Sequence, residues 1–123
     1  MFLRRLACSL LMSAVAMTAM ESQAFSQDTH RRIVVDAVNS TGGIAIPKLL
    51  RALGVTEIEE MYCNPDGLFP HNPEPLKEHL VELSARVVSE GAHMGITLDT
   101  DVDRLALVNE DGLMFGEEYT LVA

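Results

Sequence analysis

The sequence has few basic residues, few cysteines and no long apolar run. Nine lysines and arginines stand against eighteen aspartates and glutamates, so the formal net charge of −9 disfavours binding to nucleic acid or to an anionic lipid surface. The two cysteines, Cys8 and Cys63, are too few for a disulfide framework. The longest uncharged run, Leu6 to Met20, is shorter than the roughly 20 apolar residues that a membrane-spanning helix needs. We therefore expect no nucleic-acid partner and no membrane span.

The N-terminal 30 residues have the three parts of a secretory signal peptide. A basic start, MFLRR, precedes the uncharged run, and Ser22-Gln23-Ala24 offers a small-residue cleavage site before Phe25. The alternative is an N-terminal extension of another kind, such as an amphipathic segment. In either case we expect residues 1–30 to lie outside the globular fold.

The rest of the chain has the character of one globular domain. Apolar residues make up 48% of the sequence and charged residues 22%, which are ordinary values for a packed domain. We assign residues 31–116 to this domain. Residues 117–123 begin with two glutamates that suit the first turn of a helix, so we expect them to start a further element that is cut short.

The pattern of apolar residues predicts alternating strands and helices. Short apolar runs predict strands in RRIVVDA, VTEIEEMYC, HMGITL, LALV and LMF. A helical spacing joins Ile44, Leu49, Leu50 and Leu53, with Pro47 expected in the first turn, and a second helix is predicted from Leu76 to Glu90. The proline-rich segment PDGLFPHNPEP excludes a helix between them. This order predicts an α/β layered domain whose first three strands are parallel.

The sharpest motif is an acidic loop directly after the third predicted strand. Asp99, Asp101 and Asp103 fall within five residues, and Arg104 follows at once. Carboxylates this close repel one another, and protonation, solvent exposure or a bound cation relieves the repulsion. Oxygen ligands select Mg²⁺, Mn²⁺ or Ca²⁺ over zinc. Because ligands collect at the carboxyl ends of strands in open α/β sheets, we expect this loop and the NSTGG loop to share one crevice.

The residues of the acidic loop by themselves allow three other interpretations. The first is a solvated acidic turn, because runs of charged residues in loops are commonly just solvated. An EF-hand loop would use Asp99, Asp101, Asp103 and Glu110, but Arg104 stands where glycine is needed and strands are predicted where helices should flank the loop. A phosphatase of the haloacid dehalogenase type would need Thr or Val at the position of Asp103 and more chain after the motif.

Several segments together resemble one known family. RIVVDAVNSTGGIAIPKLLRALGV, PDGLFPHNPEPL, GITLDTDVDRLALVNEDG and GEEYTL follow the order found in the second domain of the α-D-phosphohexomutases, which include phosphoglucomutase, phosphomannomutase and phosphoglucosamine mutase. The resemblance runs from about Arg31 to the C terminus, and DxDxDR is its most specific motif. It implies a three-layer α/β/α domain with a mixed, mostly parallel sheet.

The resemblance also implies roles for the acidic loop. Enzymes of this family have four domains around a central cleft and move a phosphoryl group between the 1- and 6-hydroxyls of a hexose, an isomerase reaction of carbohydrate metabolism. By match, Asp99, Asp101 and Asp103 would ligate Mg²⁺. Arg104 would act as a catalytic residue beside the phosphate of a phosphoserine. The alternative for Arg104 is a local salt bridge to the neighbouring aspartates.

The chain departs from the family because no segment matches the serine, sugar or phosphate loop. We therefore expect a fragment that binds hexose phosphate only with the missing domains and is inactive alone. The alternative is a stand-alone module that binds a divalent metal or a protein partner. Self-association is expected through faces that other domains would cover. The N terminus indicates export, whereas the resemblance implies the cytoplasm.

A few other residues are chemically capable but have simpler interpretations. Ser40 and Thr41 precede the first helix, where we expect them to cap it rather than to act as nucleophiles. His71 is expected to hold the proline-rich loop. Gly43 follows Gly42 in a pair that lets backbone approach a phosphate, although two glycines are a weak signal. Cys63 is predicted to be a small buried residue.

Overall fold

A computed structural model of the chain describes residues 31–116. In chain order its elements are β1 (Arg32–Asp36), α1 (Gly42–Ala52), β2 (Glu57–Met61), a 3-10 turn (Lys77–His79), α2 (Val81–Ser89), β3 (Met94–Leu98), β4 (Leu105–Asn109) and β5 (Met114–Phe115). The predicted order of strands and helices is confirmed. The signal-like segment and the element predicted at 117–123 lie outside the described residues. Within 31–116 no helix is long and apolar enough to cross a membrane.

The five strands form one mixed sheet in the order β2-β1-β3-β4-β5. β1 is parallel to both β2 and β3, as the sequence predicts, and the helical connections α1 and α2 make these crossovers possible. β4 is antiparallel to β3, and β5 is antiparallel to β4. The chain therefore reverses its direction at the acidic loop between β3 and β4.

Helices cover both faces of the sheet. Because side chains alternate along a strand, Ile33 and Val35 of β1 point to one face, where they pack with Leu50 of α1. Val34 points to the opposite face, where it packs with Leu83 and Val87 of α2. These two apolar clusters lie on either side of one sheet, so the domain has three layers, α/β/α.

Two glycines allow the helices to lie close to their neighbours. A Cβ atom on Gly43 in α1 would overlap the backbone of Cys63, which follows β2. A Cβ atom on Gly95 in β3 would lie 2.8 Å from Cγ2 of Val87 in α2. Gly43 therefore has a packing role, and this explains its presence without a bound phosphate.

The helices differ in detail from the sequence prediction. α1 begins at Gly42, so Pro47 lies in its second turn rather than in the first. The segment predicted as one helix from Leu76 begins with a 3-10 turn, and α2 starts only at Val81, because the backbone leaves the helical region at Leu80 (φ −99°, ψ 13°). The predicted apolar stripe of α1 is only partly buried: Leu50 packs on the sheet, but Leu49 is 51% and Leu53 72% exposed.

Ion pairs attach the edge strand β2 to its surroundings. Its sequence, EIEEM, has three glutamates, and each contacts an arginine on a different element. The three pairs are Glu57 with Arg32 of β1 at 2.7 Å, Glu59 with Arg86 of α2 at 3.0 Å, and Glu60 with Arg51 of α1. They connect β1 and both helices to the edge of the sheet.

Candidate metal centre

The loops that follow β1 and β3 meet at the carboxyl edge of the parallel strands. The hydroxyl of Ser40 donates a hydrogen bond to the backbone carbonyl of Asp99 at 3.4 Å. This contact confirms the expectation that the NSTGG and DTDVDR loops share one crevice. The prediction that Ser40 and Thr41 cap α1 is wrong, because Thr41 precedes the helix without a capping hydrogen bond from its side chain and Ser40 is directed to Asp99.

The acidic loop brings its three carboxylates together. One carboxylate oxygen from each of Asp99, Asp101 and Asp103 lies within 4.8 Å of the other two. The cluster is asymmetric, since Asp99 is only 1% exposed whereas Asp101 and Asp103 face solvent. One carboxylate therefore sits at the base of the cluster, and the other two are exposed to ligands in solution.

Asp99 is held in place by its own loop. Its Oδ1 atom accepts hydrogen bonds from the backbone N–H groups of Asp103 at 3.1 Å and Arg104 at 3.2 Å. Its Oδ2 atom accepts one from Nε of Arg104 at 2.8 Å. Burial by itself would raise the pKa of Asp99, but the hydrogen bonds from Arg104 and Asp103 outweigh it and lower the pKa to about 2. Asp99 is thus a fixed carboxylate that stays ionised.

The negative charge of its neighbours affects the pKa of Asp103. Its hydrogen bond with Asp99 and the charges of Asp101 and Asp99 raise the pKa of Asp103 above its usual value. The loop also turns sharply between these carboxylates, because Val102 has φ +62°, a left-handed conformation that is uncommon for a β-branched residue. Charge repulsion and backbone strain thus coincide in the six residues that separate β3 from β4.

Arg104 joins the acidic loop to the proline-rich loop. Besides its contact with Asp99, its Nη1 atom donates a hydrogen bond to Oε1 of Glu74 at 3.2 Å. The salt bridge that the sequence offered as the alternative for Arg104 is therefore present in the described residues. Its contact with a phosphate stays a prediction. Glu74 was not singled out from the sequence, because nothing in a proline-rich loop indicates a partner 30 positions away.

A second buried carboxylate anchors the proline-rich loop from the other side. Asp36, at the end of β1, is 1% exposed, and its Oδ2 atom lies 2.8 Å from Nε2 of His71. The other ring nitrogen of His71, Nδ1, lies 2.8 Å from the carbonyl oxygen of Asn72. A carbonyl only accepts, so Nδ1 carries a proton, and one further proton lies between Nε2 and Oδ2. The expected role of His71 in holding this loop is confirmed.

Cys63 is not suited to nucleophilic chemistry. Its thiol is half-buried and donates to the carbonyl oxygen of Met61 at 3.3 Å. Burial is the main cause that raises the pKa of Cys63 to about 11, and the charges of Glu60 and Asp36 add to it. A thiol with such a pKa is protonated at neutral pH. The interpretation as a small, partly buried residue therefore holds.

The sequence of this chain is similar to those of known proteins. The sequence model of the phosphoglucomutase/phosphomannomutase alpha/beta/alpha domain II matches residues 12–112. A phosphomannomutase/phosphoglucomutase of Pseudomonas aeruginosa is 42% identical over 93 residues, which are 74% of this chain and 20% of that protein. A phosphoglucomutase of Neisseria meningitidis is 41% identical over 83 residues, 66% of this chain and 18% of that protein.

A solved structure supports the same similarity in three dimensions. A phosphoglucomutase/phosphomannomutase family protein from Burkholderia thailandensis superposes with a TM-score of 0.64 and 37% sequence identity. The superposition covers 68% of this chain and 19% of that protein. This chain thus spans about one fifth of the length of the relatives that it matches.

Proposed function

The chain belongs to the phosphoglucomutase/phosphomannomutase family, as an alpha/beta/alpha domain II, and from that membership we propose that it provides the magnesium-binding loop of a phosphohexomutase. Such an enzyme transfers a phosphoryl group between the 1- and 6-hydroxyls of a hexose. The observation that carries the proposal is the convergence of Asp99, Asp101 and Asp103 within 4.8 Å. Because the chain spans one fifth of its relatives, turnover belongs to a protein that also has the other domains.

The donor set fits a hard divalent cation. All three side chains offer carboxylate oxygens, the ligands that Mg²⁺ prefers in proteins. Oδ2 of Asp99 accepts one hydrogen bond from a side chain and keeps a second lone pair, and Asp101 and Asp103 are exposed. A Mg²⁺ ion bound by these oxygens would supply positive charge to offset the negative charge that develops on phosphoryl oxygens.

Arg104 has donors left for a phosphate. A guanidinium carries five N–H groups in a planar fork, and in the described residues Nε is directed to Asp99 and Nη1 to Glu74. Nη2 and the second hydrogen of Nη1 are available to a phosphoryl oxygen, for which a planar donor is well suited. Asp99 thus orients Arg104, and in our proposal Arg104 is the catalytic residue of this domain.

A stand-alone metal-binding module is the second candidate function. It is favoured by the fact that all three donors to the Asp99 carboxylate come from its own loop, one from Asp103 and two from Arg104. The base of the cluster therefore needs no other domain to keep its shape. In this case the chain would bind a divalent cation without any phosphohexomutase activity.

Calorimetric titration of the chain with Mg²⁺, Mn²⁺ and Ca²⁺ tests the metal site. We expect Mg²⁺ or Mn²⁺ binding that Asp103→Asn abolishes. Glu110→Gln is the matched control. Glu110 is an exposed acid outside the loop, and only an EF-hand would require it as a ligand. Selective Ca²⁺ binding that depends on Glu110 would overturn the proposed loop, and equal binding by wild type and Asp103→Asn would do the same.

A coupled assay for conversion of hexose 1-phosphate to hexose 6-phosphate tests the role of the missing domains. We expect no turnover by the pure chain. Insertion of its domain in place of domain II of a phosphohexomutase relative should give a Mg²⁺-dependent enzyme, which Arg104→Gln inactivates. Failure of this chimera, despite correct folding and metal binding, would leave the stand-alone module as the function.

A further inference from the structure

Two carboxylates from different loops hold the guanidinium of Arg104. Oδ2 of Asp99 lies 2.8 Å from Nε, and Oε1 of Glu74 lies 3.2 Å from Nη1. Asp99 belongs to the acidic loop itself, whereas Glu74 lies 30 positions before Arg104, in the proline-rich loop. A contact at Nε alone would allow the planar group to pivot about that nitrogen. The second contact, at Nη1, opposes this movement.

The backbone of Glu74 is well fixed although its side chain is 46% exposed. Pro73 precedes it and the fully buried Pro75 follows it, and a residue before proline is largely confined to an extended conformation. Its N–H donates to Oδ1 of Asn72 at 3.0 Å, and its carbonyl oxygen lies 2.8 Å from Nδ1 of His79. Because a carbonyl only accepts, Nδ1 of His79 is the donor. The loop therefore presents the Glu74 carboxylate from a fixed point.

The contacts around Glu74 form a closed path between two strands. Asp36, at the end of β1, binds His71 of the proline-rich loop at 2.8 Å. The same loop carries Glu74, which binds Arg104, and Arg104 binds Asp99 directly after β3. Asp36 and Asp99 are each only 1% exposed, and β1 and β3 are adjacent and parallel. The path thus begins and ends on buried carboxylates at one edge of the sheet.

The contact between Glu74 and Arg104 contributes to orientation more than to stability. Their side chains are 46% and 50% exposed, and exposed ion pairs contribute little to the free energy of folding. With Nε and Nη1 held, the plane of the guanidinium is set, and within residues 31–116 Nη2 is left for another acceptor. A donor fork held in this way loses less conformational entropy when it binds a phosphoryl oxygen.

Given a phosphohexomutase function, which this inference presupposes, we propose that Glu74 is a positioning residue for Arg104. It fixes the guanidinium so that Nη2 is directed to the phosphoryl group at the metal loop. The negative charge of Glu74 by itself would repel a phosphate, so its contribution is the geometry of its hydrogen bond and not its charge. The alternative is an ordinary surface ion pair that leaves the orientation of Arg104 unaffected.

Nitrogen NMR of the full chain measures the rotation of Arg104 about its Nε–Cζ bond. This rotation exchanges Nη1 with Nη2, so it requires the contact with Glu74 to break. Glu74→Ala should accelerate the exchange roughly two- to fivefold, the factor that corresponds to loss of an exposed ion pair. Glu74→Gln keeps an acceptor oxygen and should recover most of the restriction. Glu78→Ala, at an exposed acid of the nearby 3-10 turn, is the matched control and should leave the exchange unchanged.

Kinetics of the chimera that carries this domain in a phosphohexomutase relative test the consequence for catalysis. Glu74→Ala should lower kcat roughly tenfold or more and leave KM within about twofold, because in the proposed function Arg104 contacts the phosphoserine of the enzyme and not the free sugar phosphate. Glu74→Gln should restore most of kcat, and Glu78→Ala should keep the value of the unmodified chimera. A residue that only stabilised the fold would not show this rescue by an uncharged acceptor.

Two results would overturn the proposal. One is unchanged exchange of Arg104 in Glu74→Ala, in a chain that a matching amide spectrum shows to be folded. The other is an active chimera whose kcat does not depend on Glu74, because the contact is then an ordinary surface ion pair. A chimera that is inactive with Glu74 intact would contradict the phosphohexomutase function instead, and the exchange measurement would still decide whether Glu74 orients Arg104.

Discussion

His71 and Asp36 lie 35 residues apart in sequence, and Nε2 of the histidine is 2.8 Å from Oδ2 of the buried aspartate. This contact fixes the proline-rich loop to the end of β1. Tyr62 packs edge-on against the same imidazole ring, at 5.8 Å between ring centroids. On the far side of the loop, Glu74 binds Arg104. The proline-rich loop is therefore the part of the domain that links the end of β1 to the acidic loop.

Replacing Asp36 with asparagine is expected to remove a pH dependence of stability. Burial is the main influence on this carboxyl group and raises its pKa above the ordinary 3.8, against hydrogen bonds from Val38 and His71. The folded chain thus keeps a proton that the unfolded chain loses, so the stabilisation by Asp36 is complete below pH 3.8 and declines as the pH rises toward the folded pKa.

Urea denaturation of wild type and Asp36→Asn at a series of pH values measures this effect. The free energy of unfolding of wild type, relative to the variant, should decrease with rising pH in the window just above 3.8 and then become constant. Asp111→Asn, at an exposed turn, serves as the control. A constant difference between wild type and Asp36→Asn over the whole range would contradict the prediction.

Asp99→Asn should destabilise the metal-free chain, whereas Asp101→Asn should not. The buried carboxylate of Asp99 accepts hydrogen bonds from two backbone groups and from Arg104. An amide nitrogen facing Nε of Arg104 would lose one of them, at a cost of about 1–3 kcal/mol. Thermal unfolding in the presence of a chelator separates this structural role from metal binding. Equal stability of the two variants would show that Asp99 has no structural role.

Gly43→Ala and Gly42→Ala should behave differently although they are adjacent. A Cβ atom at position 43 would overlap the backbone of Cys63, which cannot move without shifting the end of β2, so a loss of about 1–3 kcal/mol is expected. A Cβ atom at position 42 would meet its nearest neighbour at 3.4 Å, and the helix would gain from the better propensity of alanine. Chemical denaturation of both variants checks the contrast, which a similar loss at the two positions would refute.

Val102→Asn should stabilise the acidic loop. A left-handed conformation costs a β-branched residue roughly 1–2 kcal/mol, and asparagine adopts it more readily. Val102 is 37% exposed, so the apolar burial lost with its side chain offsets part of this gain. We expect an increase of about 0.5–1 kcal/mol in the free energy of unfolding, without loss of the predicted metal binding. The same substitution at Val81, an exposed helical residue with ordinary backbone geometry, should give no gain.

The sequence was most informative where apolar pattern and local spacing determine structure. The runs RIVVD and MGITL predict buried strands because their apolar side chains need cover on both faces of the sheet. In DTDVDR the three aspartates are so close in sequence that their carboxylates must lie near one another. The flank of α1 that stays exposed was not predictable, because helical spacing identifies an apolar stripe but not the number of elements that cover it. The pairs Asp36–His71 and Glu74–Arg104 escaped prediction because they depend on how distant loops meet.

The edges of the described sheet limit how this domain associates with other chains. An edge strand with unpaired backbone groups invites another strand to add to it, as in fibril growth. Here one edge strand, β2, carries three glutamates in five residues, and the other, β5, has only two residues. A strand added beside β2 would have to displace or fit around the ion pairs that these glutamates make, and β5 is too short to template a strand. The sheet is thus protected from growth at both edges, and association is directed to its faces.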